Sequence, residues 1–407
     1  MNKEMPLEPS SSTNVTPRSN WRDVWETGWT ALQLGLTSFG GPIAHIGYFH
    51  QMYVKRKQWL SEQNYADLVA LAQFLPGPAS SQVGIGVGMM RAGVWGGLAA
   101  WLGFTLPSVV ALMVFAYVMQ SLDPGAAGWL QGLKIVAVAI VAQAVLGMAS
   151  KLANGPSRAL IAILAMSVVL LWHSPLSQVS VIVVAGLVGL GIYHQQRPNV
   201  MISEFKVPLG KTAGLFHLGC FVLLLLGLPL LAGVWGNEWV TLLDSFYRAG
   251  SLVFGGGHVV LPLLEHETVS SGWMAQDDFL AGYGATQAVP GPLFTFAAYL
   301  GVILHGIPGG LVATLAIFLP GYLLIAGVLP FWNGIRSNPK LQGMLTGMNA
   351  AVVGILLAAL YDPIWTSSIH SPLEFVIGAA LFGMLMFWKC PPWLVVLAGA
   401  LAGQILL

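Results

Sequence analysis

The chain has 407 residues, 56% of them hydrophobic and 8% charged, with a formal net charge of +1. A soluble domain carries about 25% charged residues, and the balanced charge gives no reason to expect a nucleic-acid partner. Cys220 and Cys390 are the only cysteines and lie far apart, with no Cys or His at metal-ligand spacing. No disulfide framework, metal centre or cofactor is therefore expected.

Residues 1–26 are polar and rich in Ser, Pro and Thr, without the apolar core of a signal peptide, and read as a disordered tail. From there on, apolar runs of about 20 residues recur, each long enough to cross a bilayer core of about 30 Å as a helix. The alternation of a membrane β-barrel is absent. The expected fold is an all-α polytopic membrane protein.

Two segments, 27–194 and 242–407, read as copies of one unit. "SFGGPIAHIGYF" from Ser38 matches "VFGGGHVVLPLL" from Val253. Trp59 matches Trp273, Gln73 matches Gln287, and Pro76-Gly77-Pro78 matches Pro290-Gly291-Pro292. "AGVWGGL" from Ala92 matches "HGIPGGL" from His305, and "LQG" at Leu130 matches "LQG" at Leu341. The matches are ordered and their offset drifts slowly. Residues 195–241 hold a polar loop and one extra apolar run, Thr212 to Trp235.

Charge indicates that the copies are inverted. Lys and Arg in short loops mark the cytoplasmic side. The loop after the first Phe-Gly-Gly holds Lys55, Arg56 and Lys57, whereas its counterpart holds Glu265, Glu267, Asp277 and Asp278 and no base. Three further loop pairs swap the same way: Asp123 against Arg336 and Lys340, Lys151 and Arg158 against "YDPIWTSSIHSP", and "HSPLSQ" against Lys389. The extra run supplies the odd crossing that inversion requires. The loop assignments then make Leu68–Met90 and Phe279–Leu304 re-entrant hairpins, and the Phe-Gly-Gly segments can be re-entrant too. The expectation is nine full crossings, up to four hairpins and about thirteen hydrophobic segments, on a plan common among secondary transporters.

Irregular backbone at membrane depth needs protein or water to satisfy its polar groups. After Pro78 a half-helix can begin, with free N–H groups and a positive dipole end suited to an anion. Ser80, Ser81 and Gln82 add donors there. A proline kink capped by serine is the plainer reading of one such motif; two at symmetric positions, with Gln73 and Gln287 before them, favour a site built from Pro76, Gly77, Pro78, Pro290, Gly291 and Pro292. Copy two offers only Thr295 as a hydroxyl. Gly40, Gly41, Gly255 and Gly256 allow close backbone approach, to a ligand or simply to another helix. Arg91 and Arg248 can attract an anion or anchor at the interface. His45, His258, Glu62 and Asp67 are candidates to carry a coupling proton, although hydrogen-bonded structural roles suit both histidines. "HETVS" from His266 lacks the second histidine of a zinc-protease motif, and "GIGVG" from Gly84 lacks the strand that precedes a dinucleotide loop. No catalytic residue is expected.

"FGGPIAHIGYF", "QWLSEQNYADLVALAQFLPGPASSQVGIGVG" and "ATQAVPGP" together resemble the signature regions of the chromate ion transporter family, in its long two-domain form, over Thr27 to Leu407. The resemblance implies export of chromate from the bacterial cytoplasm across the inner membrane, with resistance as the consequence. Sulfate, a similar oxyanion, is the alternative substrate. The family positions matched are Gly40, Gly41, Pro42, Ala44, His45, Pro76, Gly77, Pro78, Ser80, Ser81 and Gln82. Copy two has Gly257 in place of Pro42 and lacks the Ser-Ser-Gln run, so the halves are not expected to bind substrate equally. A dianion leaving a negative interior gains roughly 4–5 kcal/mol per 100 mV, so export needs no ATP, and no P-loop is present. Proton exchange, an anion channel of the same architecture and a membrane-embedded enzyme stay open as rivals. The partners expected are the oxyanion and the lipid bilayer, with a homodimer left open.

Overall fold

A computed structural model describes residues 20–39, 41–121, 128–172, 175–193, 209–254, 257–335 and 338–407. Residues 1–19, Gly40, Asp123, the polar loop from 194 to 208, Gly255, Gly256 and Arg336 lie outside the described residues; the expected 1–26 tail is too long at its end, since residues 21–26 form the first turns of a helix.

The first repeat opens with α1 (Trp21–Thr37), whose N-cap Asn20 accepts the Arg22 N–H at 3.2 Å. It turns through Ser38 and Phe39 into α2 (Gly41–Phe49), which runs on through a π-helical turn to Arg56. Helix α3 (Glu62–Phe74), capped by Ser61, stops at Leu75 before Pro76. Helix α4 (Ala79–Ser121) follows, then α5 (Gly128–Leu152), α6 (Pro156–Leu171) and α7 (Pro175–Ile192). Helix α8 (Lys211–Trp235) is the connecting span. The second repeat repeats the plan with α9 (Glu238–Leu252), α10 (Val260–Glu265), α11 (Gln276–Thr286), α12 (Phe296–Val328), the short α13 (Trp332–Ile335), α14 (Pro339–Ala359), α15 (Pro372–Met386) and α16 (Pro392–Leu406).

Neither α4 nor α12 is one straight helix. Each breaks at the same place with nearly the same backbone: Ala92 and Gly93 (φ +63°) in α4, His305 and Gly306 (φ +65°) in α12. Gly88 and Gly96 would lie about 12 Å apart in a straight helix. Instead, a Cβ on Gly88 would strike the Gly96 carbonyl, and Gly301 meets Gly309 in the same way. The chain therefore folds back, and α3 with the first part of α4 forms a hairpin tipped by Pro76-Gly77-Pro78.

The ends of that hairpin meet those of the first one. Arg91, where α4 breaks, bonds Asp23 and Glu26 near the start of α1, both at 3.1 Å, and lies over the Trp59 ring. Lys57, just beyond the π-helical turn after α2, bonds the same Glu26 at 2.8 Å. The start of α1, the end of α2 and the end of the first half of α4 thus share one cluster. The Phe-Gly-Gly segment therefore returns to the end it started from, as the Pro-Gly-Pro segment does. In the second repeat the start of α9 likewise meets the break in α12, with the Trp239 and His305 rings 5.2 Å apart.

With the hairpins set aside, the apolar segments left among the described residues are the second part of α4, α5, α6, α7, α8, the second part of α12, α14, α15 and α16. Their packing exchanges parts between repeats. Helices α6 and α7 of the first repeat pack on α14 of the second, through Ala162 against Gly354 and Gly189 against Gly343 and Gly347. Helices α15 and α16 of the second pack on α5 of the first, with Gly128 and Gly132 against Gly403 and Gly399. Small residues let these backbones touch, which supplies dispersion contact where lipid leaves no hydrophobic drive. The two repeats are interlocked.

Candidate functional site

Each Pro-Gly-Pro loop reaches across to the opposite repeat. Gly77 donates its N–H to the Val253 carbonyl at 2.7 Å, and Gly291 donates to the Ser38 carbonyl at 2.9 Å. Ser38 and Val253 are equivalent positions before the two Phe-Gly-Gly motifs, so each loop tip is tied to the hairpin turn of the opposite repeat. Such reciprocity is what two-fold symmetry produces. Gly77 and Gly291 hold φ of +115° and +109°, a region that L side chains enter only under strain. Gly41 and His258, one in each repeat, also approach: a Cβ on Gly41 would lie 4.0 Å from His258 Nε2.

Around these loops several buried donors meet no acceptor. The hydroxyls of Ser38, Ser81 and Thr105 and the Nε2 of Gln287 have no hydrogen-bond partner, and these residues are 0 to 7% exposed. Each lies beside a loop. Ser38 receives the Gly291 N–H through its carbonyl, Ser81 starts the half-helix after Pro78, and Gln287 precedes Pro290. Thr105 accepts Ser108 Oγ at 3.0 Å on its carbonyl, and Ser108 Oγ would lie 2.7 Å from a Cβ on Gly291. Buried polar groups without a protein partner are rare and are open to an ordered water, an ion or a ligand.

The other expected site residues fall into distinct places. Gln82 Nε2 is spent on the Pro76 carbonyl at 2.8 Å, bracing the first loop, and its Oε1 is unpaired. Pro78 packs on Gly321, where a Cβ would come within 2.9 Å. Ser80 is buried at the start of α4. Thr295 Oγ1 donates to the Pro292 carbonyl at 2.6 Å, so the second loop consumes its own hydroxyl. Gln73 is exposed and faces a cavity. His45 is fully buried beside Phe49 and Phe104 with neither ring nitrogen paired, whereas His258 Nδ1 bonds the Tyr283 hydroxyl at 2.7 Å.

Arg91 and Arg248 do not join the loops. Arg91 sits about 20 Å beyond Pro78 along the helix, between two carboxylates. Arg248 is paired with Asp244 and Glu267, each at 3.0 Å. Glu62 is exposed and bonds His50 at 2.6 Å and Lys55, and these bonds hold its carboxyl below its ordinary range, Lys55 contributing most. Asp67 is buried within α3.

Sequence reading missed both Ser38, which it used only as the head of the Phe-Gly-Gly match, and Thr105, which stands in an apolar run without a motif of its own. The loop beside both, at Gly291, comes from the opposite repeat, so only the fold brings it to them.

Comparison with known proteins matches this architecture. The chromate transporter family model covers residues 25–190 and 240–404, one match per repeat. A probable chromate transport protein of Synechococcus elongatus is 29% identical over 92% of this chain and 93% of its own. The chromate transport protein of Cupriavidus metallidurans is 26% identical over 92% and 91%. An uncharacterized transporter of Bacillus subtilis, YwrA, is 28% identical over 41% of this chain and 97% of its own length. No solved structure matches. With both repeats matched and the alignments spanning most of the chain, this protein is a multi-pass membrane transporter belonging to the chromate transporter family.

Proposed function

We propose that the protein is a secondary transporter that exports chromate from the cytoplasm, binding the dianion between the two Pro-Gly-Pro loops. The observation that carries this reading is the set of buried donors without acceptors: the hydroxyls of Ser38, Ser81 and Thr105 and the Gln287 amide. Neutral donors hold an oxyanion without a fixed countercharge, so release is not opposed by a buried ion pair. The family match, and the relatives described as chromate transport proteins, support the substrate class. Alternating access follows if the hairpins of one repeat move against those of the other, closing one approach as the other opens. The membrane potential drives a dianion outward, and proton exchange adds to it in an antiporter.

Radiolabelled chromate uptake into inside-out vesicles tests the reading, with the potential and the proton gradient collapsed separately and sulfate as competitor. We expect uptake that falls when the potential is removed. Failure to take up chromate or sulfate sinks the proposal, and uptake that no gradient can drive uphill identifies a channel.

A further inference from the structure

A cavity of about 200 Å³ opens beside the first Pro-Gly-Pro loop, lined by Pro42, Gln73, Gly77, Lys151 and Asn349 among others. At about 30 Å³ per water it has room for roughly six waters, or one small oxyanion with part of its shell. Both repeats build it, since Asn349 comes from α14 and the rest from α2, α3, the loop, the start of α4 and α5. Its lining holds one cation, two amides and no carboxylate. Lys151 has no ion pair among the described residues, while Arg91 and Arg248 are each held by two carboxylates. Leu75 and Gly77 of the first loop are part of its wall.

The pseudo-equivalent place in the other repeat has the opposite character. Lys151 corresponds to Asp362 when the two "LQG" sequences are aligned. Asp362 lines a cavity of about 380 Å³ with Glu265 and His266, and no Lys or Arg lines it. An anion is attracted on the Lys151 side and repelled on the Asp362 side.

We infer that the Lys151 cavity is the intake site for a tetrahedral oxyanion on the cytoplasmic face, with Lys151, Asn349 and Gln73 as its recognition groups. This rests on the proposed function and adds to it the residues that first meet the substrate. Lys151 acts as a point charge, strong enough to gather a dianion and open enough to let it move on.

The test uses the full chain with Cys220→Ser, Cys390→Ser and Gln73→Cys, in inside-out vesicles. The introduced thiol is modified with an anionic sulfonate thiosulfonate and with a cationic trimethylammonium one, each rate normalised to a free thiol. We expect the anionic reagent to be favoured about 25-fold over the cationic one, since attraction of the first and repulsion of the second by one unit charge near contact in water are each worth about fivefold. Lys151→Gln should abolish that preference and Lys151→Arg should keep it. Inorganic sulfate should slow the anionic reaction with Lys151 present and not in Lys151→Gln. Equal normalised rates, or no protection by sulfate, overturn the inference, even where chromate uptake persists. Protection by sulfate in a protein that takes up neither chromate nor sulfate leaves the intake site standing and removes the transport reading instead.

Discussion

Gly77 and Gly291 share a backbone conformation and each donates its N–H to the opposite repeat, yet the two loops are dressed differently. After Gly77 come two buried serines, one with a free hydroxyl, and a glutamine that braces the loop from inside. After Gly291 come Leu293 and Phe294, both buried, and Thr295 closes its own loop. The frame is symmetric and the chemistry is not. The shared backbone ties each loop to the opposite repeat; under the proposed function the first repeat, through Ser38, Ser81 and Thr105, supplies most of the donors for the anion. The second repeat contributes Gln287.

The comparison breaks most sharply at the glycines. Gly77→Ala and Gly291→Ala each force a side chain into a positive-φ conformation, which costs about 1–3 kcal/mol. Gly291→Ala should be worse, since its Cβ would sit 2.7 Å from Ser108 Oγ, whereas that of Gly77→Ala meets the flexible Gln82 amide at 3.2 Å. Melting in detergent and chromate uptake should both rank Gly291→Ala below Gly77→Ala. Next come the donors. Ser81→Ala and Thr105→Val should leave the melting temperature unchanged, because neither hydroxyl has a protein partner, and should raise the half-saturation for chromate about tenfold or more. Thr295→Ala should raise it less. Equal effects of Ser81→Ala and Thr295→Ala would erase the functional asymmetry.

The third effect is in pH. Burial, with Asp362 nearby, pushes the Glu265 carboxyl from 4.5 up to about 7. A carboxyl raised in the folded state contributes stability that is full below 4.5 and is lost as pH rises through about 7. Glu265→Gln should flatten the fall in melting temperature across that window, while Glu62→Gln leaves it in place. The smallest effect is expected at Arg91. Its partly exposed pairs are worth about 0–1 kcal/mol, so Arg91→Gln should barely change half-saturation, which separates the ion cluster from the substrate path.

Much of this was legible in the sequence because the repeats are written twice. Pro-Gly-Pro cannot continue a helix, so the breaks at 76–78 and 290–292 announced themselves, and loop charges gave the inversion. The exchange of α6 and α7 for α15 and α16 was not legible. Partner choice there rests on stripes such as Gly128 with Gly132 and Gly399 with Gly403, and in a chain with 49 glycines such spacings point to close contact without saying with whom. Arg91 and Arg248 drew notice as rare charges; Asp244 lies one turn from Arg248 on the same helix, but Asp23, Glu26 and Glu267, which complete their neutralisation, come from other segments. Lys151 read only as a topology marker, since nothing near it in sequence signals the cavity.

The interlocking of the repeats also bears on how the protein is made. Helix α5 leaves the ribosome about 250 residues before the end of its partner α16, and synthesis adds about 5–20 residues per second. For some tens of seconds the glycine stripe of α5 faces lipid or a helper protein. The first repeat therefore cannot finish assembling while it is the only part made, and a chain stopped after α8 should be a substrate for membrane quality control and not a working half.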